Sequence, residues 1–161
     1  MSKQSPTNTS IIAILNDVLA GELAAINQYF LHAKMCANWG FQRLASKIRL
    51  ESIDEMRHAE ALIDRILFLE GLPNVQKLGK VTIGETVKEQ FEVDRALELE
   101  AIPRLNQGIE TCRLAGDNGT RLLLETILKA EEEHLDWLDT QIELIRQIGL
   151  ENYLAQQVNG G

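Results

Sequence analysis

Apolar residues recur every three to four positions through most of this chain, the period of helices that bury one face. The first such run follows Asn8-Thr9-Ser10, residues suited to helix N-caps, and fades at Asn38-Trp39-Gly40. A second extends from about Phe41 to Glu70 and stops at Gly71-Leu72-Pro73. A stretch broken by Gly79 and Gly84 follows, in which Thr82-x-x-Glu85 has the form of a capping box that opens a third run. That run ends near Gly116-Asp117. A fourth continues to Gly149, and the amphipathic tail at 150–158 predicts a short fifth helix. Residues 1–8 read as a flexible N-terminus. The 161 residues together suit one domain, long enough to bury a real core.

The lengths of the links set the topology. Helices one and two join through a tight turn, as do three and four, so each pair lies antiparallel. The middle link, residues 71–84, is long enough to reach roughly 46 Å when extended. A 30-residue helix is about 45 Å long. The link can therefore span the whole height of the bundle and let helices two and three point the same way. The expected fold is all-α: a four-helix bundle with one long crossover and a short C-terminal helix.

Each long helix carries an acid on the stripe that faces the core. Helix one offers Glu22 among Ile11, Leu15, Val18, Ile26 and Tyr29. Helix two offers Glu55 and His58 among Leu44, Ile48, Leu62, Ile66 and Leu69. Helix three offers Glu98 among Val87, Phe91, Asp94, Ile102, Leu105 and Ile109. Helix four offers Glu131 and His134 among Leu124, Ile127, Leu128, Leu135, Leu138, Ile142 and Ile145. The spacing repeats: Glu-x-x-His occurs at 55–58 and at 131–134, and a glutamate lies 33 residues before each, Glu22 before Glu55 and Glu98 before Glu131. These offsets put all four glutamates at mid-height. Burying an unpaired carboxylate costs several kcal/mol, and the nearby cations Arg57 and Lys129 are out of phase with the stripe. Four carboxylates and two imidazoles form a donor set for a pair of iron or manganese ions.

Charge and composition narrow the partners. A formal net charge of −8 argues against nucleic acid and anionic membrane as principal partners. No apolar run approaches the ~20 residues of a membrane span, and the polar segment from Met1 to Ser10 does not read as a signal peptide. Cys36 and Cys112 are isolated, as free core thiols of a cytoplasmic protein would be. His32, on the edge of the first stripe, reads as a solvated or hydrogen-bonded side chain rather than a ligand.

From about Ile11 to Leu154 the chain resembles the bacterioferritins, the haem-containing branch of the ferritin family. The resemblance is carried by the stretches at 21–32 (GELAAINQYFLH), 51–56 (ESIDEM), 65–74 (RILFLEGLPN) and 134–138 (HLDWL). It implies a ferritin-like bundle and a homo-oligomeric, hollow shell of 24 subunits built from dimers. It also implies two irons per subunit, held by Glu22, Glu55, His58, Glu98, Glu131 and His134. Glu55 and Glu131 would bridge the irons, with Glu22–His58 and Glu98–His134 as terminal pairs. The implied chemistry is ferroxidase activity: ferrous iron oxidised by dioxygen or hydrogen peroxide, and ferric mineral stored inside. A small electron-donor protein would assist release. One haem b per subunit pair would be ligated through Met56 from each chain. Met56 projects about 100° from Glu55 around the helix. It falls on a second, mostly apolar face with Leu23, Asn27, Phe30 and Ile53.

Some positions depart from the family pattern. Leu50 and Leu62 stand where the family often has His and Tyr, leaving Tyr29 and Trp137 as the oxidisable aromatics near the site. Asp54, four residues before His58, has no counterpart at Ala130, an asymmetry expected to make the two metal positions unequal. Pro103 falls inside helix three, where it is expected to kink the helix. The competing function is a di-iron oxidase or peroxidase that stores nothing. A rubrerythrin of that kind would add a four-cysteine iron module, which this chain lacks.

Overall fold

The structure is a computed structural model that describes residues 6–159. Its helices are α1 (Pro6–Asn38), α2 (Gln42–Phe68), α3 (Val87–Ala115), α4 (Asn118–Ile148) and α5 (Leu150–Ala155). α1 starts at Pro6, ahead of the Asn8-Thr9-Ser10 caps that the sequence suggests. Proline suits a helix's first position because its fixed φ is already helical and its missing N–H would have had no partner. Of the N-terminus expected to be flexible, Pro6–Asn8 are thus helical, and residues 1–5 lie outside the described residues. α5 ends at Ala155, short of the expected 158.

The long link follows α1 from one end to the other. Asn74 N–H donates to Asn16 Oδ1, Gly79 N–H to the Ala20 carbonyl, Thr82 N–H to Gln28 Oε1 and Gly84 N–H to His32 Nε2. As the link advances, its partners advance along α1. α3 therefore begins beside the C-terminal end of α1, where Cys36 Sγ meets Gln90 Oε1. It runs back past Tyr29 and Gly21, parallel to α2. The crossover has the expected form. α1 packs on α2 and α3, and α4 on α3, α2 and α5.

The start of α3 corrects the expected capping box by one turn. Thr86 is the N-cap, its hydroxyl accepting from Glu89 N–H, while Glu89 Oε2 accepts from Glu85 N–H. The segment around Thr82 and Gly84 is instead extended along α1. Gly84 has no room for a side chain, because a Cβ there would collide with the backbone of Gln90. At the other end α3 stops at Gly116 in the left-handed conformation, φ 73°. α3 runs through Pro103 without interruption.

Two apolar clusters fill the bundle on either side of mid-height. One gathers Ile11, Leu15, Leu62, Ile66, Leu105 and Leu124; the other gathers Tyr29, Leu44, Ile48, Phe91, Leu138 and Tyr153. α1 contributes to both. Contrary to the expectation that no apolar run nears membrane-spanning length, its Asn8–Asn38 stretch is long enough and contains an 18-residue window of mean hydropathy 1.6, apolar enough by composition. Its buried Glu22, Gln28 and His32 face the rest of the bundle, which accounts for that apolarity as core. Cys36 and Cys112 are buried and free, and burial pushes their thiols up to about 12 and about 11.

Candidate metal centre

Between the two clusters the apolar packing gives way to acids. Glu22, Glu55, Glu98, Glu131 and His134 are buried, and His58 is partly so, one edge reaching solvent. Each comes from the core stripe of its own helix, so the helical repeat that lines up the leucines also lines up the carboxylates. Glu22, Glu55, His58 and Glu131 can each place one donor atom within 4.8 Å of the others, and so can Glu55, Glu98 and His134. All six residues chosen from the sequence are thereby brought together, with Glu55 common to both groups. Both imidazoles use Nδ1: that of His58 lies 3.2 Å from Glu131, 3.3 Å from Glu55 and 3.5 Å from Glu22, and that of His134 lies 2.9 Å from Glu98.

Buried oxygens mark what is lacking. Glu22 Oε2, Glu98 Oε2 and Glu131 Oε1 are enclosed and make no hydrogen bond. Glu131 Oε1 is near His58 but not aligned with it. Left as anions these groups would repel one another, and protons answer part of the charge. Burial, then the adjoining Glu131 carboxylate, pushes Glu98 up to about 8. Burial and Glu55 push Glu131 up as well. Burial alone would lower His58, but Glu131 and Glu55 more than offset it and hold it at about 10. Glu98 does the same for His134, at about 9. A pair of divalent cations would displace these protons and satisfy the idle oxygens together.

Aromatic groups wall the Glu98–His134 half. Tyr29 donates its hydroxyl to Glu98 Oε1, and its ring meets His134 edge-on at 5.1 Å. Burial, together with the Glu98 charge, raises Tyr29 well above a free phenol. Trp137 stacks on His134 with ring centres 6.2 Å apart.

Several expectations about the surroundings of the six need correction. Asp54 is exposed and accepts from Arg57 at 3.2 Å rather than reaching His58. Outside the six, the acid near an imidazole of the centre is Glu51, which is buried. One of its oxygens lies 3.8 Å from His134 and the other 2.6 Å from Lys47 Nζ. Glu51 precedes Glu55 by one helical turn, a spacing visible in the sequence. What the sequence does not contain is that α2 leans this turn toward α4. Of the two readings of His32, solvated or hydrogen-bonded, the second holds: it is fully buried and its Nε2 accepts from Gly84 N–H. Its Nδ1 lies 2.9 Å from Asp94 Oδ1, and Gln28 also donates to that oxygen. Leu62 is buried in the core and Leu50 is exposed. Met56 is half exposed; of the residues expected to share its face, Phe30 and Asn27 are exposed and Leu23 and Ile53 half-buried.

A bundle with one full-height crossover, its core interrupted at mid-height by four glutamates and two histidines, defines the ferritin-like class. A family model described as a ferritin-like domain matches residues 12–148. The chain is 54% identical over 149 residues to the bacterioferritin of Mycobacterium leprae, spanning 92% of this chain and 94% of that one. It is 53% identical over 149 residues to bacterioferritin BfrA of Mycobacterium tuberculosis, with the same shares. The bacterioferritin of Streptomyces coelicolor is 52% identical over 145 residues, 90% of this chain and 87% of its own. The chain belongs to the bacterioferritins, within the ferritin family. That membership supports iron handling as its work.

Proposed function

We propose that this chain oxidises ferrous iron at Glu22, Glu55, His58, Glu98, Glu131 and His134 and stores the ferric product in a hollow 24-subunit shell. The observation that carries the reading is the set of buried carboxylate oxygens without hydrogen-bond partners, arranged around two groups of donors that share Glu55. Oxygen donors suit ferric iron, so the site favours the oxidised product. Glu22 with His58 would hold one ion and Glu98 with His134 the other, with Glu55, common to both donor groups, and Glu131 beside it serving both. Two ferrous ions give up one electron each. Hydrogen peroxide accepts both with two protons and leaves as two waters; dioxygen accepts both with two protons and leaves as peroxide. Tyr29 fixes Glu98 through its hydroxyl, and Trp137 holds the plane of His134. A partner protein that donates electrons would return ferric iron to the soluble ferrous form. The net negative charge supports cations rather than nucleic acid or membrane lipid as partners, and the two free thiols suit a cytoplasmic setting.

Iron uptake by the assembled particle tests this reading. Storage requires hundreds of irons or more per particle. An oxidase or peroxidase that stores nothing would stop at two per chain.

Haem b fits the Met56 face. Met56, 49% exposed, offers a soft thioether donor, and with a second copy packed there Met56 of both chains would hold the group. Bound haem supplies one-electron transfer toward the stored mineral. The side chains around it set its orientation and exclude water. Titration is expected to saturate at one haem per two chains, and Met56→Leu to abolish binding or change the absorption spectrum. An unchanged spectrum and stoichiometry in Met56→Leu would place the ligand elsewhere.

A further inference from the structure

The six-residue centre has two openings of opposite character. On the α2–α4 side a cleft of about 170 Å³ reaches Glu55, His58 and His134. Its rim carries Glu51, Asp54 and Glu133, with Lys47 bonded to Glu51 and Lys129 3.9 Å from Glu133. Here negative charge leads inward through a space with room for several water-sized molecules. On the α1–α3 side the approach to Glu22 and Glu98 is lined by Val18, Ala25, Leu97 and Ala101, and its free volume is about 10 Å³. That is room for about one water-sized molecule. The charged group on this wall that is not one of the carboxylates of the centre is Arg104.

Arg104 is seated there by a missing side chain. A Cβ on Gly21 would lie 2.5 Å from Arg104 Nη1, so the guanidinium rests directly against the backbone of α1, one residue from Glu22. No carboxylate lies within ion-pair distance of it among the described residues. Arginine stays charged at any accessible pH. A divalent cation approaching by this side must shed its water and pass a fixed positive charge. A neutral molecule the size of dioxygen or hydrogen peroxide need do neither.

We propose that Arg104, seated on Gly21, makes the α1–α3 opening a charge-selective mouth that excludes metal cations and admits the small neutral oxidant, leaving the acidic α2–α4 cleft as the path for iron. This rests on the proposed oxidation site and specifies how its two substrates are kept apart. Separate mouths let oxidant reach the centre without displacing an arriving ion.

Cobalt(II) serves as a spectroscopic probe that binds without being oxidised. In the assembled full-length protein, Arg104→Gln is expected to load cobalt at least threefold faster than wild type at low salt. The gain should shrink as salt screens the mouth, and two cobalt per chain should still bind. Arg104→Lys, which keeps the charge, should load at the wild-type rate. Gly21→Ala, which displaces the guanidinium without removing it, should load faster. Glu133→Gln should slow loading in the wild-type background and less so in Arg104→Gln. If Arg104→Gln loads at the wild-type rate or more slowly at low salt, or if Arg104→Lys behaves like Arg104→Gln, the mouth is not charge-selective and the proposal fails. A wild-type protein that binds cobalt in this pattern but oxidises no ferrous iron would overturn the oxidation reading and leave the selective mouth standing.

Discussion

Replacing Glu55 with alanine is expected to slow ferrous oxidation by at least tenfold while the bundle remains folded. Glu55 is the one residue that lies in both donor groups, so its loss weakens both metal positions at once. Losing a residue that merely supports a metal ligand typically costs about 10–100-fold, and a shared ligand should cost no less. Stability should not fall in parallel. In the metal-free protein Glu55 stands beside Glu131, whose carboxyl is pushed up in part by that charge. Removing one acid relieves repulsion and offsets the cavity it leaves, so metal-free Glu55→Ala should melt within a few degrees of wild type. Wild-type oxidation rates in Glu55→Ala would remove the residue from the centre.

The second large effect is on the stability of the metal-free protein against pH. Glu98 is raised from 4.5 to about 8, His134 from 6.5 to about 9 and His58 from 6.5 to about 10. All three bind protons more tightly folded than unfolded. Their stabilisation is complete below the unfolded values and is lost as pH rises through the folded ones. The melting temperature of chelator-treated protein should therefore fall from about pH 4.5, where Glu98 begins to count, to about pH 10, where His58 ceases to. Divalent metal replaces the protons, so the loaded protein should lose much less over the same range, and loading near pH 7 should release protons to the solvent. Thermal melts across that window, with and without zinc, measure it. A metal-free melting temperature that is flat or rises with pH would show that the carboxylates are not held as described.

The parts of this molecule written in short-range spacing are legible in the amino-acid sequence. The 3.6-residue repeat places Glu22, Glu55, His58, Glu98, Glu131 and His134 on inward stripes, and the 33-residue offsets bring them to one height. What escapes a reading of the sequence depends on contacts between distant segments. Thr82 and Thr86 both begin an S/T-x-x-E pattern, and the choice between them falls to Gln28 and His32, which hold Thr82 and Gly84 extended along α1. Asp54 sits four residues before His58, yet a neighbour on its own helix, Arg57, takes it outward. Glu51 has the same spacing as many surface acids, and only the packing of α2 on α4 sets it near His134. Arg104 shows no signal at all without the bare backbone of Gly21 on another helix.

The central claim is that these six residues form one two-iron oxidation centre. Stepwise addition of ferrous iron to metal-free protein, each step followed by oxidant in a stopped-flow spectrometer, tests it most directly. The account predicts a fast phase whose amplitude rises linearly and saturates at two irons per chain, absent in Glu55→Ala. A fast phase that saturates at one iron, that never saturates, or that survives unchanged in Glu55→Ala would contradict it.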